Sequence, residues 1–415
     1  FLMNALCERK DLDFKSSCVL VLLVFLAMPL IGAIPYIYLD PFSSPSSVQR
    51  LTNAYFESIS GFTTTGFSFI SNIDDLPKSF LVYRSTTELM GGVGIVFILL
   101  AFFQSRESLN SLGNALGMES GEENPKRIFF SVFLIYGIYI TAFTLIFYAL
   151  GFRDIIETSS FVIDTITGGY QPSLERFQLY LSIPMRTCIL ILMFAGSVNF
   201  SFNYHLFTFE MKKALSKETL LYLLVIIVGT VSVFSLSGRN VFDSLFHVLS
   251  MSSSTGYDYI GIPMFNDTVK SVFILLMILG GCGFSMAGGI RMFRIISFLR
   301  SIKQSVEGIS SRENEIQQEN EQAGANNVDR LSALVTVLLF VATLFVFSIV
   351  FSTIGISFTD ALFEVGSALT TNGVSMGATT VFMPIAYKWL LMLAMIIGRI
   401  EMITILIALI PQKRK

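Results

Sequence analysis

Thr63-Thr64-Thr65-Gly66 decides the fold, because the same short polar run into a glycine returns as Thr165-Ile166-Thr167-Gly168, Ser253-Ser254-Thr255-Gly256 and Thr370-Thr371-Asn372-Gly373. Each copy lies between two apolar stretches. A single Thr-Gly is an ordinary turn, but four at homologous places between paired spans predict four extended loops meeting on one axis. Glycine permits backbone angles that other residues resist. Such loops aim backbone carbonyls, with further oxygens from Thr and Ser hydroxyls, at a dehydrated cation. Non-helical backbone at membrane depth is tolerated only where it lines a wet cavity or is buried in protein.

The surrounding composition requires a membrane. Of 415 residues, 53% are hydrophobic and 14% charged, and mean hydropathy is +0.67, which is more apolar surface than a soluble chain of this size can hide. Net charge is −2, so charge gives no argument for nucleic acid or an acidic partner. Cys7, Cys18, Cys188 and Cys282 show no metal-ligand spacing and receive no role. No secretory signal with a cleavage motif precedes the first apolar run. The chain opens on Phe1, which points to processing or to a longer parent chain with upstream helices.

Runs at roughly 17–39, 81–103, 128–150, 179–202, 219–237, 271–298, 331–356 and 387–410 are long enough to cross ~30 Å of hydrocarbon, which takes about 20 helical residues. That predicts eight spans, with a short re-entrant helix between the members of each pair. Registering the copies on their glycines superposes Ala54-Tyr55-Phe56-Glu57, Ser244-Leu245-Phe246-His247 and Ala361-Leu362-Phe363-Glu364, each preceded by a helix-starting Asn53, Asp243 or Asp360. The second copy is degenerate here, with Ile156-Glu157-Thr158-Ser159. Gly91-Gly92, Gly196, Gly280-Gly281 and Gly398 then follow at similar distances, as small residues for close helix packing.

The fold read from this is an all-α polytopic membrane protein: four pseudo-symmetric repeats of helix, re-entrant pore loop and helix around a central pore. Its parts are 1–110, 111–212, 213–303, a polar linker 304–330 and 331–415 with a basic tail. The linker reads as a solvated loop or a docking element. Lys and Arg concentrate in 1–16, 104–127, 203–218, 299–330 and beyond 410, about twice as many as on the other side, which makes both termini cytoplasmic. The re-entrant helices then enter from outside, and their C-terminal ends point partial negative charge at the membrane centre.

Several residues carry candidate chemistry. Gly280-Gly281-Cys282-Gly283-Phe284-Ser285-Met286-Ala287-Gly288-Gly289 sets five glycines in ten residues of the sixth span, each costing about 1 kcal/mol relative to Ala in a helix interior, so this helix should break. Gly283-Phe284-Ser285 also reads as an intramembrane serine-protease motif, which needs a well-placed His and leaves the repeat unexplained. Arg399 sits in the middle of the last span, where a charge costs at least about 2.5 kcal/mol and marks a functional candidate or a structural pair with a carboxylate. Glu401 cannot be that partner, because i,i+2 residues do not face each other. Glu57 and Glu364 share one register position, and Arg84 and Arg186 another; these read as buried pairs bracing the loops, with a direct cation site as the alternative. His247 replaces the glutamate in the third copy and is not assigned as a pH sensor.

Phe-Glu-Ser-Ile-Ser-Gly-Phe-Thr-Thr-Thr-Gly-Phe at 56–67, Gly-Gly-Val-Gly-Ile at 91–95, Ala-Gly-Ser-Val-Asn-Phe at 195–200 and Gly-Arg-Ile-Glu at 398–401 make the chain resemble the TrkH-type membrane subunit of the Trk/Ktr/HKT superfamily of potassium transporters, over residues 17–410. The resemblance implies that Gly66, Gly168, Gly256 and Gly373 are filter glycines, which with Thr64, Thr65, Thr167, Thr255 and Asn372 form a K⁺ site. A first-repeat serine, associated in plant relatives with sodium permeation, is not present. It further implies a gate beneath the filter built from Gly280, Gly281, Gly283, Ser285, Gly288 and Gly289, with Arg399 as an electrostatic barrier. No cofactor is implied beyond K⁺ as the transported ion. The implied assembly is a homodimer in the plasma (inner) membrane, in contact with lipid and regulated by a cytosolic TrkA/KtrA-like ring that itself binds nucleotide. Na⁺ or mixed permeation, or cation-coupled symport, is the alternative within the family. A secondary transporter usually shows two inverted repeats rather than four in the same direction, and an intramembrane enzyme is the remote reading.

Overall fold

The structure, a computed structural model, describes residues 14–42, 46–70, 72–102, 125–171, 182–310, 321–400 and 402–409, and every regular element among them is helical. Four units follow one another with the same internal order. The first helix of each faces lipid: α1 Phe14–Gly32 with its short continuation α2 Ile34–Leu39, then α5 Pro125–Ala149, α10 Lys217–Ser237 and α14 Glu321–Ser352. Each holds an apolar window long enough to cross a membrane, and only 28 to 39% of those windows is buried within the protein. Leu224, Val228 and Leu338 are exposed on these outer faces, as a lipid solvent allows.

The last helix of each unit is different. These are α4 Lys78–Phe102, α7 Ile183–Ser197, α12 Asp267–Leu279 and α16 Ile385–Ile400. Against the eight expected runs, four helices among the described residues are long and apolar enough to cross a membrane by themselves, or five if α7 is joined to the helix it bends into. Inner helices face other protein segments, so they tolerate charge and interruption. α4 carries buried Arg84 and Glu88. After α7 the chain turns by 116° at Val198 and Asn199 into α8 Phe200–Phe207, short of the expected end at 202, and α9 Met211–Ala214 leads on to α10. α12 ends at Gly280 as its glycines predict, and α13 Met292–Ser310 resumes beyond them; α16 is followed by α17 Met402–Leu409.

Between outer and inner helices lie α3 Ser47–Phe62, α6 Ile155–Thr167, α11 Val241–Ser252 and α15 Phe358–Leu369, of 16, 13, 12 and 12 residues, too short to span. Their N-caps are Ser46, Asp154, Asn240 and Ser357, each side chain accepting a backbone N–H of the first turn. The expected starts at Asn53, Asp243 and Asp360 are therefore displaced. Asp243 and Asp360 occupy the third helical position, where an acid also favours the helix N-terminus, and Asn53 lies buried well inside α3.

The expected linker 304–330 is helical at both ends, since α13 runs to Ser310 and α14 begins at Glu321. Gln, Glu and Ala are good helix formers and continue the flanking spans. Residues 311–320 lie outside the described residues. So do the basic segments 1–13, 103–124 and 410–415 used for orientation, together with Cys7 and Glu401. Cys18, Cys188 and Cys282 are free thiols.

Close approach fixes how each inner helix meets its own re-entrant helix. A Cβ on Gly91 would lie 2.0 Å from the Phe62 carbonyl oxygen, one on Gly196 2.2 Å from that of Ile166, and one on Gly398 1.9 Å from that of Leu369. The helix crosses the end of the re-entrant helix at backbone contact, as the shared glycine register suggested. Above, Phe56 stacks on Phe69 at 4.2 Å and Phe246 meets Tyr259 edge-on at 4.8 Å, packing the chain that leaves each glycine. Gly398→Val should cost about 1–3 kcal/mol by overpacking and lower the unfolding midpoint of the detergent-solubilised protein; an unchanged midpoint would count against this crossing.

Candidate cation pathway

The side on which the four re-entrant helices begin is termed upper. At the lower end of each helix the chain reverses and climbs through its glycine: Gly66, Gly168, Gly256 and Gly373 have φ of 81°, 72°, 71° and 78°. Two residues earlier, Thr64, Ser254 and Thr371 are also left-handed, at 55°, 60° and 52°. An L-residue pays roughly 1–2 kcal/mol for that conformation. The turn is held by one recurring bond: the N–H groups of Thr65, Thr255 and Asn372 donate to the carbonyls of Ser60, Ser250 and Ser367 at 2.8, 3.2 and 2.8 Å. The second repeat departs from this pattern. α6 continues to Thr167, and Gly168 N donates to Asp164 O at 3.1 Å, so the segment reaches its glycine as a helix end.

The four glycines close a ring. A Cβ on Gly66 would lie 2.3 Å from the carbonyl carbon of Gly169, one on Gly168 2.6 Å from Ser254 O, one on Gly256 1.9 Å from Asn372 O and one on Gly373 1.9 Å from Thr65 O. Each repeat touches the next, and the fourth returns to the first. The ring is therefore lined at close quarters by backbone rather than side chains. Expected hydroxyl ligands divide into two groups. Those of Thr65, Thr167 and Thr255 are engaged with Thr63, Ile163 O and Ser253 at 2.8 Å each, whereas the buried Thr64 and Thr371 Oγ1 atoms have no hydrogen-bond partner. Asn372 turns its side chain away, donating to Ser250 O and Met251 O at 3.3 and 2.9 Å.

Acidic side chains behind the ring take the N–H groups of the ascending chain. Glu364 accepts from Ser375 Oγ at 2.6 Å, Met376 N at 2.7 Å, Ala378 N at 3.1 Å and Thr379 Oγ1 at 2.6 Å. Glu57 accepts from Ser68 Oγ at 2.9 Å and Phe69 N at 2.5 Å, and pairs with Arg84 at 3.4 Å. In the third repeat the arrangement is reversed: His247 sits on the helix and Asp258 stands where the first and fourth repeats have Ser68 and Ser375, 3.1 Å apart. Asp258 receives Ile260, Gly261 and Ile262 N–H groups at 3.0, 2.9 and 2.6 Å.

The cations of the inner helices reach into the neighbouring repeat. Arg84 lies 3.7 Å over the Tyr170 ring. Arg186, expected in a pair bracing the loops, bonds Asp243 of the third repeat at 3.2 Å and covers Tyr259. Lys388, unmarked in the sequence, donates to Asn53 Oδ1 at 2.7 Å and Val381 O at 2.6 Å and covers Phe69.

Below the ring, residues 280–291 form an irregular loop that bonds back to its own helix, Ile290 N and Arg291 N donating to Ile278 O and Leu279 O at 2.9 and 3.1 Å, and also to the second repeat. Cys282 N and Met286 N donate to Ser197 O and Gly196 O, both at 2.9 Å, and Phe200 N donates to Phe284 O at 3.2 Å. Glu218 takes the N–H groups of Gly283 and, at 3.1 Å, Phe293, tying the loop to the start of α13. Gly288 N donates to Ser254 Oγ at 3.0 Å, which in turn donates to Thr370 O at 3.1 Å, and a Cβ on Gly288 would lie 2.2 Å from Thr370 O. The loop is thus seated directly against the ring. Gly280 and Gly289, with φ of 68° and 82°, make its tight turns, and Gly281 abuts Ser197. Ser285 Oγ donates to Cys282 O at 2.6 Å, while His205 and His247 have Ser201 and Asp258 as partners, so neither histidine pairs with Ser285.

Arg399 does not stand free, and its hydrogen-bond partners among the described residues are carbonyls. Its two terminal nitrogens donate to Met286 O of the loop and Gly91 O of α4, both at 3.1 Å, with the whole side chain buried. Glu88, Asp258, Glu218 and Lys388 escaped the sequence reading. For Asp258 the register that aligned His247 with Glu57 would have shown the exchanged pair, and a charge inside an apolar span was the signal for Glu88 and Lys388.

The family model described as TrkH, cation transport protein, matches residues 101–415. The chain is 28% identical to an uncharacterised cation transporter of Methanocaldococcus jannaschii, covering 98% of this chain and 85% of that protein. It is 26% identical to the Trk system potassium uptake protein TrkI of Halomonas elongata, over 87% and 77% of the two chains. With TrkH of Escherichia coli K12 it shares 23% over 97% and 87%. The crystal structure of the potassium transporter TrkH from Vibrio parahaemolyticus superposes with a TM-score of 0.80 at 20% identity, covering 97% of this chain and 86% of that one. Glu364→Ala strands four donors, and at about 1–3 kcal/mol for each buried group left unsatisfied the protein should lose at least ~3 kcal/mol, read as a lower unfolding midpoint; no change would remove Glu364 as a brace.

Proposed function

This chain belongs to the TrkH family of cation transport proteins, and on that premise we propose that it takes up potassium across the plasma membrane through the ring of its four glycine segments. The observation that carries the reading is the cycle of backbone contacts from Gly66 to Gly169, Gly168 to Ser254, Gly256 to Asn372 and Gly373 to Thr65. Carbonyl groups gathered around one axis replace the water that an entering cation sheds. Four helix C-termini converge beneath them, each equivalent to roughly half a negative charge, which favours a cation over an anion. Thr64, Thr65, Thr167, Thr255 and Asn372 contribute to this site through their backbone, and the free hydroxyls of Thr64 and Thr371 are additional ligands.

The loop 280–291 is the gate in this reading. It contacts the lower rim of the ring through Gly288, and Arg399 fastens Met286 to α4. Arg399 therefore acts as a latch as well as a charge in the path: releasing the loop requires breaking two charge-assisted bonds. The upper side is extracellular, and both termini are cytoplasmic. The chain is taken to work as a homodimer with a cytosolic TrkA/KtrA-like ring, on which nucleotide acts; the family resemblance supports this assembly.

Cation-resolved flux into liposomes tests the reading. Wild-type protein should pass K⁺ without a Na⁺ gradient and in preference to Na⁺, and Gly66→Ser, whose Cβ collides with Gly169, should lower that preference. An obligatory Na⁺ gradient would replace this reading with symport, and an unchanged ratio in Gly66→Ser would take Gly66 out of the filter. Arg399→Ala removes bonds worth about 1.5–3 kcal/mol each, so basal K⁺ flux should rise roughly tenfold or more; reduced flux from folded protein would refute the latch.

A further inference from the structure

The second repeat lacks a brace on its own re-entrant helix. Ser159 stands at the register position of Glu57, His247 and Glu364, and its hydroxyl donates to Ile156 O within α6. The acceptor comes instead from α4 of the first repeat. Tyr170 N donates to Glu88 Oε1 at 2.7 Å, and Thr167 Oγ1 lies 3.5 Å from Oε2. Tyr170 is two residues past Gly168, the place held by Ser68, Asp258 and Ser375 after the other glycines. The carboxyl fills the space that a Cβ on Gly169 would need, at 2.1 Å from Oε1.

Glu88 is fully buried beside a second carboxyl, that of Asp164 on α6, whose buried Oδ1 has no donor among the described residues. A hydrogen bond between two carboxyls requires a proton on one of them. The charged and titratable groups facing the pair are Arg84, Tyr170 and Tyr257. Arg84 already has Glu57 at 3.4 Å, so this single guanidinium cannot balance three carboxylates. Two ionised carboxylates in contact repel, and one takes up a proton.

We propose that Glu88 and Asp164 share one proton and that this pair is the positioning element of the second ring segment. It holds the segment just past Gly168, where Glu88 takes the Tyr170 N–H at 2.7 Å, and it stands 3.5 Å from Thr167 Oγ1 just before that glycine. Its effect on ion preference rests on the permeation reading above, whereas the shared proton does not.

The test uses full-length protein in lipid. Infrared spectra should contain a protonated-carboxyl carbonyl stretch that is lost in both Glu88→Gln and Asp164→Asn; a band unchanged in both would overturn the shared proton. In flux, Glu88→Gln should keep the wild-type K⁺ over Na⁺ ratio, because its amide accepts from Tyr170 N and donates to Asp164. Glu88→Ala should lower the ratio about tenfold, the worth of one lost buried hydrogen bond. A wild-type ratio in Glu88→Ala, or a ratio in Glu88→Gln that falls as far as in Glu88→Ala, would overturn the positioning role. If Glu88→Ala does not fold, the glutamine variant and the infrared band decide. Wild-type protein that passes no K⁺ would refute the permeation reading and leave the infrared result to judge the pair.

Discussion

A backbone N–H or C=O without a partner inside hydrocarbon costs several kcal/mol, and this chain sets four non-helical segments at membrane depth. Everything around the ring follows from that constraint. Outer helices satisfy their own backbone and face lipid. Inner helices come close enough, through Gly91, Gly196 and Gly398, to seal the ends of the re-entrant helices. Carboxylates buried behind the ring then take the N–H groups that no helix or sheet can satisfy. Acids at these positions are a consequence of leaving the carbonyls free to face inward.

The four repeats meet the constraint by different means. The first and fourth use a glutamate one helix length behind the glycine, the third exchanges acid and partner between His247 and Asp258, and the second borrows Glu88 from its neighbour. Divergence of this kind is tolerated because only the position of the acceptor matters. The lower side is less uniform. One inner helix of the four is replaced over 280–291 by a loop, whose glycines give it both its turns and its contact with the ring.

Much of this was legible in the sequence. Periodicity of apolar runs and the recurrence of a glycine locate the repeats, the break after Leu279 and the burial of Glu57 and Glu364, since each depends on local composition or on register. Helix starts were misjudged by three residues at Asp243 and Asp360, because an acid is favourable at both the cap and the third position. The partners of Arg186 and Arg399 were out of reach. Register compares each repeat with the next, whereas those side chains bond across repeats that the sequence holds 57 and 113 or more residues apart. The same reason hid the partners of Glu88, since Tyr170 and Thr167 belong to a different repeat from its own helix.

The seams between repeats differ in chemistry. From first to second, second to third and fourth to first, a cationic side chain crosses: Arg84 to Tyr170, Arg186 to Asp243 and Lys388 to Asn53. Between third and fourth the ties at the ring itself are neutral, from Asn372 and Ser254, and the charged tie, Arg399 to Met286, lies below it on the loop whose Gly288 leans on that same junction. Neutral hydrogen bonds exchange more cheaply than charge-assisted ones. Mechanically the ring is a split washer, three joints riveted in its own plane and the fourth clasped there by neutral bonds, its one rivet set below on the loop.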